Sequence, residues 1–151
     1  MPLHLIKLCV GCDTVKDLED WIREKQRQRK NSTKKPEHLH ITRMVPKRAD
    51  ELVRGGSLFW VIRGAVMCRQ KLIAVRPFVD AEGVGRCRLA LDLKIKLVEP
   101  RPYRAFQGWR YLDEEDAPAD LSDQRAALRA ARTEADLPAQ MVAELKALGL
   151  L

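Results

Sequence analysis

No stretch of this 151-residue chain approaches the ~18 consecutive apolar residues that a membrane-spanning helix needs. Its opening, Met1-Pro2-Leu3-His4-Leu5-Ile6-Lys7, has no charged segment followed by a long apolar one. No membrane partner and no secretory signal are expected, and the cytoplasm is the default compartment. The glycine loops that cradle phosphates are missing as well: neither Gly-x-x-x-x-Gly-Lys-Ser/Thr nor Gly-x-Gly-x-x-Gly occurs, which disfavours the nucleotide folds built on them. Without a Gly-x-Ser-x-Gly elbow, Ser57 and the three histidines do not make a hydrolase signature. Four cysteines supply one Cys-x-x-Cys, Cys9 and Cys12, and no second pair at zinc-finger spacing. The sequence therefore assigns no catalytic residue, no metal and no cofactor.

Positive charge is abundant, and it is unevenly placed. The chain has 28 Lys and Arg against 21 Asp and Glu, a net of +7. Residues 21–111 hold 22 basic and eight acidic side chains, a net of +14, while the flanking 1–20 and 112–151 together carry −7. A basic centre of this kind concentrates polyanions and binds phosphate backbones in a salt-sensitive way. The bland alternative is that the same side chains only solvate a helix face and a sheet face.

The length suits one domain. Residues 2–10 form a short strand apolar on both sides; Gly11 ends it, and Thr14 with Asp17 makes a capping box for a helix that runs towards residue 30. His38 to Val45 is a strand stopped by Pro46, and Arg48 to Arg54 a short helix closed by Gly55-Gly56. Ser57–Arg63 and Ala65–Phe78 are two central strands around Gly64. From Cys87 to Leu97 every odd residue is apolar and nearly every even one polar, which predicts one long strand over 86–98, buried on one side. After Tyr111 the composition turns acidic. The expected organisation is a basic α+β domain over 1–112, an acidic linker over 113–120, and a C-terminal helical pair over 121–151 packed on the same domain. The fold class is α+β, with a small, curved, mainly antiparallel sheet or pseudo-barrel.

Two basic constellations stand out. Arg43, Lys47 and Arg48 surround Pro46 at a strand-to-helix corner, a plausible phosphate cradle. Arg69 projects from the second central strand, and Trp109, Arg110 and Tyr111 interleave cations with aromatics, the mixture that pairs a backbone and stacks bases. Their structural alternative is that the aromatics close the end of the sheet and the arginines pair with the acidic tail. Cys9-Val10-Gly11-Cys12 lacks the preceding βα unit of thioredoxin-like folds. Together with His38 and His40 it could also furnish a zinc set, although buried free thiols in a reducing compartment are the plainer reading.

The segments Leu3–Gly11, Arg43–Arg48, Gly55–Ile62 and Gln107–Leu112 resemble an uncharacterised bacterial family, a domain of unknown function, over nearly the whole chain. That resemblance implies membership and no activity. The element order is also similar to the PUA and ASCH pseudo-barrels, which bind RNA or modified nucleotides beside a short helix; this implies a groove lined by Arg43, Lys47, Arg48 and Arg69. The expected role is binding of RNA or another polyanion. The alternatives are a protein-interaction adaptor using the C-terminal helices and a small enzyme acting on an anionic metabolite.

Overall fold

The computed structural model describes residues 2–28, 37–104 and 106–121. Seven strands and two helices follow one another as β1 (Leu3–Leu8), α1 (Val15–Gln28), β2 (His38–Thr42), α2 (Ala49–Leu52), β3 (Ser57–Ile62), β4 (Ala65–Val79), β5 (Gly85–Leu91), β6 (Lys96–Pro102) and β7 (Trp109–Asp113). They form one mixed sheet in the order β2-β5-β4-β3-β1-β7, with β6 on a second edge of β4. β1 runs parallel to β3 and antiparallel to β7; the remaining pairings are antiparallel.

The 15-residue β4 organises the sheet. Its first half lies between β3 and β6, and its second half pairs with β5, which carries β2 on its far edge. Register shifts at Val66/Cys68 and Leu72/Ala74 bend the strand, as bulges do, so the β2–β5 wing curls over one face of the central strands. Between them lies the larger core: Leu5, Trp60, Cys68, Leu72, Leu89 and Leu91, with Val15, Leu18 and Ile22 of α1. The opposite face buries Ile6, Phe59, Val61, Val66, Val98 and Leu112 beneath Tyr103, Phe106 and Ala117.

Local chemistry explains most element ends. Thr14 and Asp17 exchange side-chain-to-backbone hydrogen bonds of 3.1 and 3.2 Å, so the capping box forms as expected. Arg63 (φ +51°) and Gly64 (φ +76°) make the two-residue β3–β4 turn, the positive-φ pair that a tight hairpin favours.

Three expectations need correction. The strand expected over 86–98 is two strands, because the Asp92 carboxylate accepts the Lys94 N–H at 3.0 Å and so breaks the ladder with a local turn. Side-chain parity survives the break, and Leu97 is buried on the same core as Leu89 and Leu91. The sheet is not a closed barrel: β2 and β7 end the order and share no ladder, so the pseudo-barrel and the likeness to PUA-type folds find no support. The strand from His38 ends at Thr42, three residues before Val45, because the Thr42 hydroxyl turns back to donate to the Met44 carbonyl at 3.0 Å.

The acidic segment lies against the sheet. Its residues Glu114–Asp116 form one 3-10 turn, and Asp120 bridges Val98. The helical pair expected over 121–151 falls, beyond Leu121, outside the described residues. No helix among the described residues is long and apolar enough to cross a membrane.

Candidate functional site

The loop after β2 and the start of α2 form an exposed corner carrying Arg43, Lys47 and Arg48. Two aromatic side chains of β7 hold it from beneath. The Trp109 indole N–H donates to the Met44 carbonyl at 2.9 Å. The Arg48 backbone N–H donates to the Tyr111 hydroxyl at 3.1 Å. The two rings meet edge-on at 4.9 Å, and the Arg48 guanidinium lies 5.5 Å from the Tyr111 ring centroid. The corner therefore fastens to the opposite edge of the curled sheet by side chains, where a barrel would use a ladder.

Its cations are not equivalent. Arg48 is forked onto Glu51 through Nε at 2.5 Å and Nη2 at 2.9 Å, which raises its pKa and lowers that of Glu51. Arg43 and Lys47 are exposed and make no ion pair among the described residues. Met44, 62% exposed, and Val45 complete a basic and apolar tip.

The aromatics are placed differently from the stacking role that the sequence suggests. Trp109 is only 8% exposed and belongs to the larger core, while the Tyr111 hydroxyl is already engaged. Both position the corner, and the buried Trp109 offers no open ring face of the kind a base stacks on.

Two further candidates lie on the other side of the sheet. Arg110 alternates away from Trp109 and Tyr111 and covers the Phe106 ring at 4.6 Å. Arg69, opposite Phe59, is gripped by Asp120 through two hydrogen bonds of 2.8 Å and donates to Ser57 Oγ at 2.7 Å. That clamp raises the Arg69 pKa and lowers the Asp120 pKa. Arg69 therefore does not join Arg43, Lys47 and Arg48 in one groove.

Around Arg69 the fold assembles a polar group that the sequence did not reveal, since its members come from β1, β3, β4 and the segment after β7. His4 Nδ1 accepts the Ser57 backbone N–H at 2.9 Å, and His4 Nε2 faces the Glu114 carboxylate. Ser, His and Glu thus meet, but not as a catalytic relay: the Ser57 hydroxyl bonds Arg69 and not the imidazole. The arrangement ties the acidic segment to the sheet.

The cysteine motif is similarly resolved. The contact with Cys12, and after it burial, push the Cys9 thiol up, while that contact pulls the Cys12 thiol down. Cys9, Cys12, His38 and His40 do not bring three donor atoms within 4.8 Å of one another; among the described residues only the exposed Asp113, Glu115 and Asp116 do so.

A family model described as a protein of unknown function, DUF1489, matches residues 5–151. No curated protein and no solved structure matches the chain.

Proposed function

Because the chain belongs to the DUF1489 family, whose description carries no activity, we propose from its own residues that it is a cytoplasmic module binding RNA or a related phosphate-rich polyanion through the Arg43–Arg48 corner. The observation that carries the reading is the anchoring of an exposed basic tip by the Trp109 and Tyr111 hydrogen bonds. A fixed corner holds Arg43 and Lys47 without the ordering entropy that a loose loop loses on binding. Mobile cations would bind any anion weakly; fixed ones select a phosphate spacing. Arg48 contributes less, since a phosphate must compete with Glu51 for it.

Fluorescence anisotropy with a short single-stranded RNA and with duplex DNA, at several salt concentrations, tests this. The triple variant Arg43→Ala, Lys47→Ala, Arg48→Ala is expected to bind RNA about tenfold or more weakly near physiological salt, with a shallower salt slope by about 0.7 per lost contact. Of the single variants, Arg43→Ala and Lys47→Ala should each weaken binding more than Arg48→Ala. Affinity that vanishes with salt and ignores all three changes means that the net charge alone is acting, and the proposal falls.

A further inference from the structure

The three tryptophans of the chain, distant in sequence, surround one lysine and one histidine inside the curl of the sheet. Lys7 on β1 is in register with Trp60 of β3 on one side and Trp109 of β7 on the other. His40, on the inward face of β2, meets the Trp60 ring edge-on at 5.1 Å and the Trp21 ring at 6.2 Å. His38, two residues away, meets Trp21 at 5.2 Å.

The polar atoms of this cluster are short of partners. Gln70 Oε1 takes the Trp60 indole N–H at 2.9 Å and faces His38 Nδ1 at 3.3 Å, which leaves His38 Nε2 as an acceptor. His38 Nε2 and both ring nitrogens of His40 are buried with no hydrogen-bond partner among the described residues. Lys7 forms no salt bridge among them either. Lys25 lies 5.8 Å from the Trp21 ring centroid. The charges that act on His40 and His38 are those of Lys7, His38 and Lys25, all basic. Burial holds the Lys7 ammonium below its ordinary range, with Cys9 opposing, and pushes His40 down to about 3. An N–H aimed at an indole face recovers only part of a hydrogen bond, so the ring packing does not account for three orphaned nitrogens. Unpartnered buried polar groups of this kind call for an occupant.

We propose that Lys7 and His40, walled by Trp21, Trp60 and Trp109, form a binding site for a small anionic ligand with a flat unsaturated body, an aromatic or heteroaromatic acid. Its acid group accepts from the Lys7 ammonium and the His40 N–H, and its ring lies among the indoles. Trp21, 38% exposed, and the half-buried Lys7 reach solvent. The site does not depend on the polyanion reading: the basic corner lies on the other side of Trp109, and neither Lys7 nor His40 belongs to it.

All of the protein's tryptophan emission arises at this site, so intrinsic fluorescence reports it directly. Benzoate is expected to quench the emission saturably, and uncharged benzamide not to. Lys7→Met should weaken benzoate binding about tenfold or more, by removal of a charge-assisted hydrogen bond. It should also raise the melting temperature of the unliganded protein, because a half-buried ammonium with no ion-pair partner among the described residues is replaced by an apolar chain of similar length. His40→Phe, which keeps an aromatic ring against Trp60, should weaken binding in the same way. The proposal is overturned by any of four results: no saturable benzoate effect on the wild-type protein, equal quenching by benzamide, benzoate affinity indifferent to both substitutions, or earlier melting of Lys7→Met.

Discussion

Gly56→Ala is expected to cost about 4 kcal/mol or more, most of the stability of an ordinary domain. A Cβ at this position would stand 2.2 Å from the Leu3 carbonyl oxygen and 2.3 Å from that of Leu52. Both are backbone atoms that cannot swing aside. Gly56 cannot retreat either, since its N–H donates to Leu52 O at 2.9 Å and its carbonyl accepts from Leu72 N at 2.9 Å. The residue is the knot where α2, β1, β3 and the bend of β4 meet. At roughly 2–4 °C per kcal/mol for a chain of this size, the melting temperature should fall by about 10 °C or more. Gly83→Ala provides the contrast: its φ is +80° but nothing lies within 4 Å of a new Cβ, so only backbone strain of about 1 kcal/mol is added. Thermal denaturation followed by circular dichroism separates the two. A Gly56→Ala protein melting with Gly83→Ala would contradict the close approach.

Acid should unfold the protein through the same cluster that holds the tryptophans. His40 is neutral in the fold down to about pH 3 because burial first, and then Lys7 and His38, oppose its charge. In the unfolded chain it titrates near 6.5. The unfolded state therefore binds the extra proton between these values, so the contribution is fully present at pH 7 and is lost as pH falls below about 6.5. Between pH 7 and pH 4 the loss for His40 amounts to about 3 kcal/mol, and His38, also lowered mainly by burial, adds in the same direction. Urea titrations of the wild type and of His40→Phe at pH 7 and pH 4 measure it. The variant should lose clearly less stability on acidification; equal losses in the two proteins would mean that His40 is not buried neutral.

How far the residues announce this outcome can be followed element by element. The capping box of α1 and the glycine-closed end of α2 are local, depending on residues three or four apart, and both were legible. Period-two patterning located β5 and β6 and put Cys87, Leu89, Leu91 and Leu97 on one core, but it did not foresee that Ala90 and Val98 on the other side are buried as well. It could not place the break between them, since Asp92 reads equally well as the polar member of an alternating strand and as the turn residue that it becomes once its carboxylate takes the Lys94 N–H. The basic corner was visible as Arg43, Lys47 and Arg48 close together in the chain, and its aromatic neighbours as a second cluster. That Trp109 is buried and anchors Met44 follows only from the approach of β7 to the end of β2.

The sequence by itself determined the family, the strand and helix content of its clearest segments, the apolar face that packs on the larger core and the concentration of positive charge in the middle of the chain. These depend on side-chain type and short-range spacing, which folding does not alter. The tertiary structure alone decided that Arg69 is unavailable, because its pairing with Asp120 joins β4 to the segment after β7, whereas Arg48 pairs with Glu51 only three residues along the chain and Arg43 and Lys47 stay exposed. It alone brought Lys7, His40 and three tryptophans into one cluster, since those residues come from five separate elements and meet only when the sheet bends at β4 and the β2–β5 wing folds back.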